Sequence, residues 1–400
     1  MVVTIAATYD LLPLLLIGLL LVVVTSLTIR ATRGVRAKAR RVLILGSGPM
    51  ASKLVEEIES PAVPRYVVAG IVDDGCADPE ASPAARWLGP FSRLTEIVTE
   101  VRPACIVVAA ADRRDRLPMA PLLESRVRGV AVEDAVAFYE RLTGKMAIEA
   151  LRPSALILSK GFRNHGAAET VARVVSFVAA AIGLVLLAPV LVALAVAIKL
   201  DSRGSVFFVQ ERAGRDGRPF GLVKFRTMHP CAKARSEWVM DNIDRITRLG
   251  GWLRRFRLDE LPQLVNVLRG EMNLIGPRPH PTSNHAIFME QIAYYGLRST
   301  VRPGVTGWAQ VRYGYANNLD EETEKMRYDL YYIKNRSLWL DARIAIETVG
   351  IVLFAKGASE VRRPSPSRDE MPAARHRPET VTGFVPWIGG PTVRQPAGRQ

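Results

Sequence analysis

Apolar residues occur along the chain in two long uncharged runs and in shorter runs separated by polar turns. The first long run, 11–29, reads LLPLLLIGLLLVVVTSLTI and is just long enough to cross a bilayer. No basic segment precedes it and no small-residue cleavage site ends it, which disfavours a secretory signal peptide. Lys and Arg are dense directly after it. The positive-inside tendency therefore predicts a transmembrane anchor (1–30), a basic linker (31–40) and a cytoplasmic remainder.

The second long run, 174–198, has Pro189 inside it and basic residues on both sides. Both ends therefore favour the same, cytoplasmic face. A helix that breaks at Pro189 and returns to that face would satisfy both sets of charges, because proline removes a backbone donor and bends a helix. The carbonyl freed near Val185 would then need another partner. These residues leave open a re-entrant helix and a spanning helix with a kink.

Short buried runs alternate with helical spacing between the two long runs. A strand at 42–45 is followed by Gly46-x-Gly48-x-x-Ala51 and a helix pattern, and a second strand at 66–72 ends at Asp73. A third apolar run follows at 104–111. Strands that alternate with helices predict a parallel α/β sheet, and we expect a Rossmann-like domain over 41–150, followed by a linker (151–168).

The glycine turn is also the only sign of a nucleotide in that domain. Gly46, Gly48 and Asp73 are weak nucleotide-binding candidates, since Asp73 stands about where a ribose-binding acid is expected. The glycines are equally required for the tight turn alone. No Tyr-x-x-x-Lys pair follows the motif, which disfavours an NAD-dependent sugar-nucleotide enzyme.

The amino-acid composition excludes several classes of protein. The 400 residues include 54 Lys and Arg against 39 Asp and Glu, and 48% are hydrophobic, which excludes a wholly disordered chain. Three dispersed cysteines exclude a disulfide framework. A net charge of +15 suits either nucleic acid or an anionic membrane, and the long apolar runs favour the membrane. The Pro-rich basic end, 358–400, is typical of a disordered tail.

A carboxylate pair lies in the stretch GGWLRRFRLDELPQLVNVLR, between two short amphipathic segments. Because Asp is a favoured N-cap and proline is tolerated only in a first turn, a helix is predicted to begin at Asp259-Glu260 and to end by Gly270. The helix dipole and the neighbouring arginines (Arg254, Arg255 and Arg257) would keep Asp259 ionised, as a carboxylate nucleophile requires. The alternative is an ordinary capping Asp beside a solvated Glu.

Single cations stand on rigid elements around this pair. A hairpin is predicted over 210–228, with its turn at 215–218 and with Lys224 and Arg226 facing one side. Arg278 and Arg302 lie in two Pro/Gly-rich loops, GPRP and VRPGVTG, which suit phosphate recognition. Together these features indicate phosphate chemistry at a bilayer surface.

Four segments, KFRTM, RLDELPQLVNVLRGEMNLIGPRP, VRPGVTGWAQV and YDLYYIKN, resemble the bacterial sugar transferases, that is, the monotopic phosphoglycosyl transferases. The resemblance implies a mostly α-helical, membrane-embedded transferase domain over 169–357 with a re-entrant helix at 174–198. The Rossmann-like part resembles the exopolysaccharide-type members. The segment ERLTGKMAIEALRPS, 140–154, resembles the exosortase-associated subgroup.

The resemblance implies a reaction and roles for the residues. A sugar 1-phosphate would pass from a UDP-sugar to undecaprenyl phosphate, with release of UMP, as the first step of exopolysaccharide biosynthesis. By position, Asp259 would be the nucleophile and Glu260 would assist at Mg²⁺, which shields charge between phosphates. The phosphate- and substrate-binding residues implied are Lys224, Arg226, Arg278, Arg302 and, less directly, Asp329.

The resemblance also implies the location of the protein, at the bacterial inner membrane with the catalytic domain on the cytoplasmic face. Two departures stand out: the helix break is Ala188-Pro189 where the family often has Ser-Pro, and one N-terminal helix is predicted where the family often has several. The sequence leaves open whether that single helix reflects a shortened gene start. It also leaves open the sugar, with glucose and galactose both compatible, and a homodimer through the Rossmann-like part. A non-catalytic, nucleotide-sensing regulator is the alternative function, and the intact Asp259, Glu260 and Arg278 disfavour it.

Overall fold

The computed structural model describes residues 39–60, 65–75, 86–110, 117–148, 151, 156, 161–162, 166–229, 244–314 and 316–354. The predicted N-terminal anchor (1–30) and basic tail (358–400) lie outside these residues. The described chain forms two compact units. The first unit comprises the residues before 164 together with Arg327–Arg336, and the second comprises Asn164–Met326 and the residues from Ser337 onward.

The first unit is built on a parallel five-stranded sheet with the strand order β3-β2-β1-β4-β5. This is the order of a doubly wound α/β fold, so the predicted parallel α/β sheet is confirmed. Its strands and helices are β1 Arg40–Leu45, α1 Pro49–Glu59, β2 Tyr66–Val72, β3 Trp87–Gly89, α2 Leu94–Val101, β4 Cys105–Val108, α3 Met119–Val127, β5 Ala131–Asp134 and α4 Ala135–Thr143.

The sheet has a hydrophobic core on each face, which is why β1 reads as an unbroken apolar run. Val42 and Ile44 pack on one side with residues of α1 and α4. Leu43 and Leu45 pack on the other side with residues of α2 and α3. All four of these strand side chains are fully buried.

The second unit is mostly helical and contains two small sheets. Its elements are α5 Gly166–Asp201, β6 Phe207–Ala213, β7 Pro219–Phe225, α6 Arg248–Arg255, α7 Leu264–Arg269, β8 Asn273–Ile275, α8 Thr282–Gln291, β9 Gly304–Thr306, α9 Trp308–Arg312, α10 Leu319–Lys334 and α11 Leu338–Phe354. Residues from Arg327 onward in α10 group with the first unit. Strands β6 and β7 pair antiparallel around the turn Arg215–Gly217, which confirms the predicted hairpin.

Helix α5 contains the second apolar run and extends beyond it at both ends. Pro189 lies inside the assigned helix. Its most apolar 18-residue window has a mean hydropathy of 2.9 and is only 6% buried, so the helix is long and apolar enough to cross a membrane. Among its few buried residues, Ala180 packs against Phe220 and Val267, and Ile198 packs against Phe225.

Strands β8 and β9 pair in parallel and bring together the loops that follow and precede them. The backbones meet at Gly276 and Gly304, where an added Cβ at Gly304 would lie 2.1 Å from the amide nitrogen of Gly276. Side chains at these two positions would force the loops apart. The glycines therefore set the distance between the loop of Arg278 and the loop of Arg302.

Candidate functional site

The carboxylate pair lies in a 3₁₀ turn, Leu258–Gln263, between α6 and α7. Arg257 enters this turn with left-handed backbone (φ 53°), and its carbonyl accepts a 3.2 Å hydrogen bond from the amide of Glu260. The prediction that Asp259 caps the helix is wrong, because the turn begins one residue earlier and Asp259 lies inside it. The predicted end of the helix is confirmed: α7 stops at Arg269 and Gly270 takes left-handed backbone (φ 88°).

Glu260 is held as a carboxylate by two arginines. Nη2 of Arg278 donates a 2.8 Å hydrogen bond to Oε1 of Glu260, and Nη1 of Arg257 lies 3.5 Å from the same oxygen. Glu260 is only 7% exposed. Burial pushes its pKa upward, but the guanidinium groups of Arg278 and Arg257 outweigh burial and lower the pKa to about 2.

Asp259 has a different environment from its neighbour. It is 8% exposed and has no hydrogen bond or ion pair within the part of the chain that the structure describes. Burial and the adjacent Glu260 carboxylate raise its pKa, against the opposing pull of Lys224, Arg254 and Arg278. Desolvation thus acts against the expected effect of the helix dipole and the neighbouring arginines, and the ionised state of Asp259 stays a prediction.

Lys224 faces the pair from strand β7. Burial and the cations Arg212 and Arg254 lower its pKa to about 8, and Asp259 acts in the opposite direction. Its Nζ also lies 5.1 Å from the centre of the Phe208 ring, on the paired strand. The structure thus brings together Asp259, Glu260, Lys224 and Arg278. The influence of Arg254 on the pair was expected from the sequence, whereas no sequence pattern pointed to Arg212.

The loop that carries Arg278 is clamped at four successive carbonyls. The carbonyls of Pro277, Pro279 and His280 accept from Gly304 N, Arg212 Nη1 and Ala213 N, each at 2.9 Å. The carbonyl of Arg278 itself accepts from Nη2 of Arg298. Every main-chain acceptor in this segment is thereby satisfied, so the Arg278 side chain is presented from a rigid base.

A buried polar network stands behind this loop. Nδ1 of His280 bonds Tyr295 Oη and lies 2.8 Å from Nη1 of Arg298, while Nε2 lies 3.1 Å from Oε1 of Glu322. Burial and Arg298 lower the pKa of His280 to about 3, so the ring is neutral, with Nε2 donating and Nδ1 accepting. No sequence pattern pointed to a role for His280, Arg298 or Glu322.

Three of the predicted substrate-binding residues have surroundings other than the carboxylate pair. Arg226 donates to the carbonyls of Ser202 (2.7 Å) and Arg203 (3.0 Å), at the end of α5. Arg302 donates a 2.9 Å bond to Glu169 near the start of α5. Asp329 is buried on α10, in the segment that groups with the first unit. Their roles in binding substrate stay predictions.

The glycine turn of the first unit lies at the point where the strand order reverses, between β1 and β4. Gly46 has left-handed backbone (φ 101°), and a Cβ there would lie 2.7 Å from Ala110 Cα. The Asp73 carboxylate accepts hydrogen bonds from the amide (3.1 Å) and the hydroxyl of Ser47. The acid proposed for a ribose is thus engaged with the turn itself, and nucleotide binding through Gly46, Gly48 and Asp73 stays a prediction.

The residues of the site can be compared with those that a magnesium ion requires. In the described residues no group of three or more His, Cys, Asp or Glu side chains could hold a metal ion. Mg²⁺, however, commonly binds through one or two carboxylates and takes its other ligands from water and substrate phosphates. The adjacent carboxylates of Asp259 and Glu260 fit that kind of site.

Comparison with known proteins identifies the family to which the second unit is similar. A family model described as bacterial sugar transferase matches residues 167–355. The chain is also 31% identical over 352 residues to a UDP-glucose:undecaprenyl-phosphate glucose-1-phosphate transferase of Klebsiella pneumoniae, covering 82% of this chain and 71% of that protein. The chain belongs to the bacterial sugar transferase family. The family resemblance noted from the motifs is thereby confirmed.

Two further relatives match shorter shares of their own length. An undecaprenyl-phosphate glucose phosphotransferase of Komagataeibacter xylinus is 33% identical over 337 residues, covering 81% of this chain and 61% of the relative. A UDP-N-acetylgalactosamine-undecaprenyl-phosphate N-acetylgalactosaminephosphotransferase of Aeromonas hydrophila is 40% identical over 222 residues, covering 55% and 51%. The chain thus spans between about half and three fifths of these two proteins. The names of the relatives agree on the lipid phosphate and differ in the sugar.

Proposed function

We propose that this sugar transferase moves a hexose 1-phosphate from a UDP-sugar to undecaprenyl phosphate, with Asp259 as the nucleophile. The observation that carries the proposal is the unequal carboxylate pair. Glu260 is neutralised by Arg278 and Arg257, whereas Asp259 has no such partner and faces Lys224. The names of the relatives supply the donor and acceptor classes.

In the first step, a carboxylate oxygen of Asp259 forms a bond to the β-phosphorus of the UDP-sugar. The bond from that phosphorus to the oxygen bridging the two phosphates breaks, and UMP leaves with this oxygen and its electron pair. The product is a phosphosugar joined covalently to Asp259. Lys224 and Arg278 would stabilise the charge on the transferring phosphoryl oxygens, as cationic clamps do in phosphoryl transfer.

In the second step, a phosphate oxygen of undecaprenyl phosphate attacks the same phosphorus. The bond to Asp259 breaks and the carboxylate is regenerated, which leaves an undecaprenyl diphosphate sugar. Asp259 must be ionised to begin each cycle, and its raised pKa therefore sets a lower pH limit for the reaction. Mg²⁺, held by Glu260 and Asp259, would supply shielding between the phosphates and the attacking carboxylate.

The contacts of α5 support a re-entrant, membrane-embedded helix. Near its start, Nη1 of Arg173 donates to the carbonyls of Val267 (2.7 Å) and Met272 (3.0 Å). Near its end, Arg226 binds Ser202. Both ends are thus tied to residues of the same unit, which is compatible with a helix that enters and leaves the bilayer at one face. We propose that both ends lie at the cytoplasmic face of the bacterial inner membrane, with the segment 1–30 as a further anchor.

Two-sided labelling tests this topology. In a variant whose native cysteines are replaced by serine, Ala167→Cys and Leu200→Cys introduce thiols at exposed positions near the two ends of α5. A membrane-impermeant maleimide should label both from the cytoplasmic side of inverted vesicles. Labelling of the two from opposite sides would establish a spanning helix.

The reaction itself is tested with purified protein in nanodiscs, Mg²⁺, undecaprenyl phosphate and a panel of UDP-sugars. UMP release from one donor, dependent on the lipid phosphate for turnover and absent in Asp259→Ala, is the expected result. The donor that works names the sugar, and we propose that its transfer is the first step of exopolysaccharide biosynthesis. Equal UMP release by the variant would exclude Asp259 as nucleophile. No release from any donor would favour the nucleotide-sensing regulator.

A further inference from the structure

A mainly apolar groove begins at Glu260 of the carboxylate pair. Its cavity volume is about 190 Å³. That volume is below the ~300–1,000 Å³ typical of sites that enclose a whole small molecule, so the groove would take only part of a ligand. Its walls are formed by Leu261, Leu264, Val305, Val311, Ile351 and Val352. Its polar end is formed by Arg257 and Glu260.

Most of the polar groups along the walls already have hydrogen-bond partners within the protein. The hydroxyls of Thr306 and Thr348 bond each other at 2.8 Å, and Thr348 also donates to the carbonyl of Ile344. Nε2 of Gln310 donates a 2.9 Å hydrogen bond to the carbonyl of Val305, whereas its Oε1 is buried without a hydrogen-bond partner among the described residues. A uridine or a sugar would need donors and acceptors at such positions, so the walls suit a hydrocarbon chain better.

One wall of the groove also borders the apolar helix. Leu264 lines the groove and packs on α5 at Gly183, where an added Cβ would lie 3.3 Å from Leu264 Cδ1. The groove therefore lies beside the helix that we propose to be embedded in the membrane. A lipid could enter it sideways without its chain crossing water.

We propose that this groove holds the first isoprene units of the acceptor lipid, with its phosphate at Arg257 and its chain along α11. The inference rests on the proposed function and adds the acceptor-binding surface to it. An isoprenoid phosphate matches the groove because it joins one anionic head to an apolar chain. A phosphate at Arg257 lies at the mouth shared with Glu260, so its oxygen can reach the phosphosugar on the adjacent Asp259.

The test compares two tryptophan substitutions on α11. Ile351→Trp would fill the groove, whereas Leu353→Trp, at a side chain 51% exposed and outside the groove, is the matched control. Steady-state rates are measured with undecaprenyl phosphate and with geranyl phosphate, which has the same head and only two isoprene units. Turnover of undecaprenyl phosphate by the wild type tests the proposed function separately. If the wild type shows no turnover, the proposed function is wrong, and the groove proposal that rests on it is wrong as well.

With wild-type turnover in hand, Ile351→Trp should raise the KM for undecaprenyl phosphate about tenfold or more and reduce the preference for it over geranyl phosphate. The KM for the UDP-sugar should change less than twofold, and Leu353→Trp should resemble wild type. An unchanged acceptor KM, an equal effect of Leu353→Trp, or a raised donor KM alone would overturn the inference. If Ile351→Trp does not fold, Val352→Phe is measured by the same criteria.

Discussion

Glu260 accepts a 2.8 Å hydrogen bond from Nη2 of Arg278, and Arg278 is thereby tied to one carboxylate of an adjacent pair. Asp259, the other carboxylate, has no such bond within the described residues. Two neighbouring acids with the same chemistry are thus made unlike by their surroundings: the pKa of Glu260 is lowered and that of Asp259 is raised. Enzymes commonly separate acid–base and nucleophilic roles in this way.

Replacing Arg278 should lower the activity, because Arg278 acts on both carboxylates. Arg278→Ala removes the partner of Glu260 and one of the cations that lower the pKa of Asp259. We expect kcat/KM for the UDP-sugar to fall about 100-fold, as when a charge-stabilising donor is lost. The acid side of the pH profile should move to higher pH, because both carboxylates then bind protons more readily. Arg218→Ala, at an exposed arginine in the hairpin turn, is the control and should leave the profile unchanged.

Arg298 should act on the reaction through Arg278. Its Nη2 donates to the Arg278 carbonyl and its Nη1 lies 2.8 Å from Nδ1 of His280. Arg298→Leu should therefore lower kcat/KM by about tenfold, and the double variant with Arg278→Ala should be little worse than Arg278→Ala alone. Additive losses in this double-mutant cycle would mean that Arg298 does not position Arg278. Thermal unfolding of each variant separates this effect from loss of the fold.

Local patterns predicted the parts of this molecule that depend on neighbouring residues. The hairpin around Arg215–Gly217 and the end of α7 at Gly270 follow from turn chemistry and glycine, and the sheet follows from short apolar runs. The prediction that Asp259 is the N-cap was wrong because Arg257 takes left-handed backbone. That conformation is uncommon for arginine and could not be predicted from the residue type.

The partners of the charged side chains could not be predicted in the same way. Lys224 and Arg226 are two residues apart, yet Lys224 faces Asp259 and Arg226 binds the end of α5. Arg302 pairs with Glu169, which lies 133 residues earlier in the chain. Such pairings depend on how elements that are distant in sequence pack together. The local sequence of a loop with one arginine does not identify the acidic residue with which that arginine pairs.

The charge of Lys224 should limit the reaction at alkaline pH. Its pKa, lowered to about 8 chiefly by burial and nearby cations, means that it is charged below about pH 8 and loses its charge as the pH rises further. We expect kcat/KM for the UDP-sugar to fall above about pH 8, because that parameter reports the free enzyme. Lys224→Arg keeps the charge at all accessible pH values and should remove this limb. A limb that persists in Lys224→Arg would have to come from another group.

Arg226 should contribute to stability more than to substrate affinity. It is 7% exposed and donates to both carbonyls that end α5, Ser202 and Arg203. Arg226→Leu would leave these partly buried carbonyls without a charged donor, at a cost of about 1–2 kcal/mol in the free energy of unfolding. The midpoint of thermal inactivation in nanodiscs should fall, while the KM for the UDP-sugar in the remaining active protein changes less than twofold. Arg269→Leu, at an exposed arginine, is the control and should shift neither value. A large rise in the donor KM of Arg226→Leu with an unchanged midpoint would instead assign Arg226 to phosphate binding.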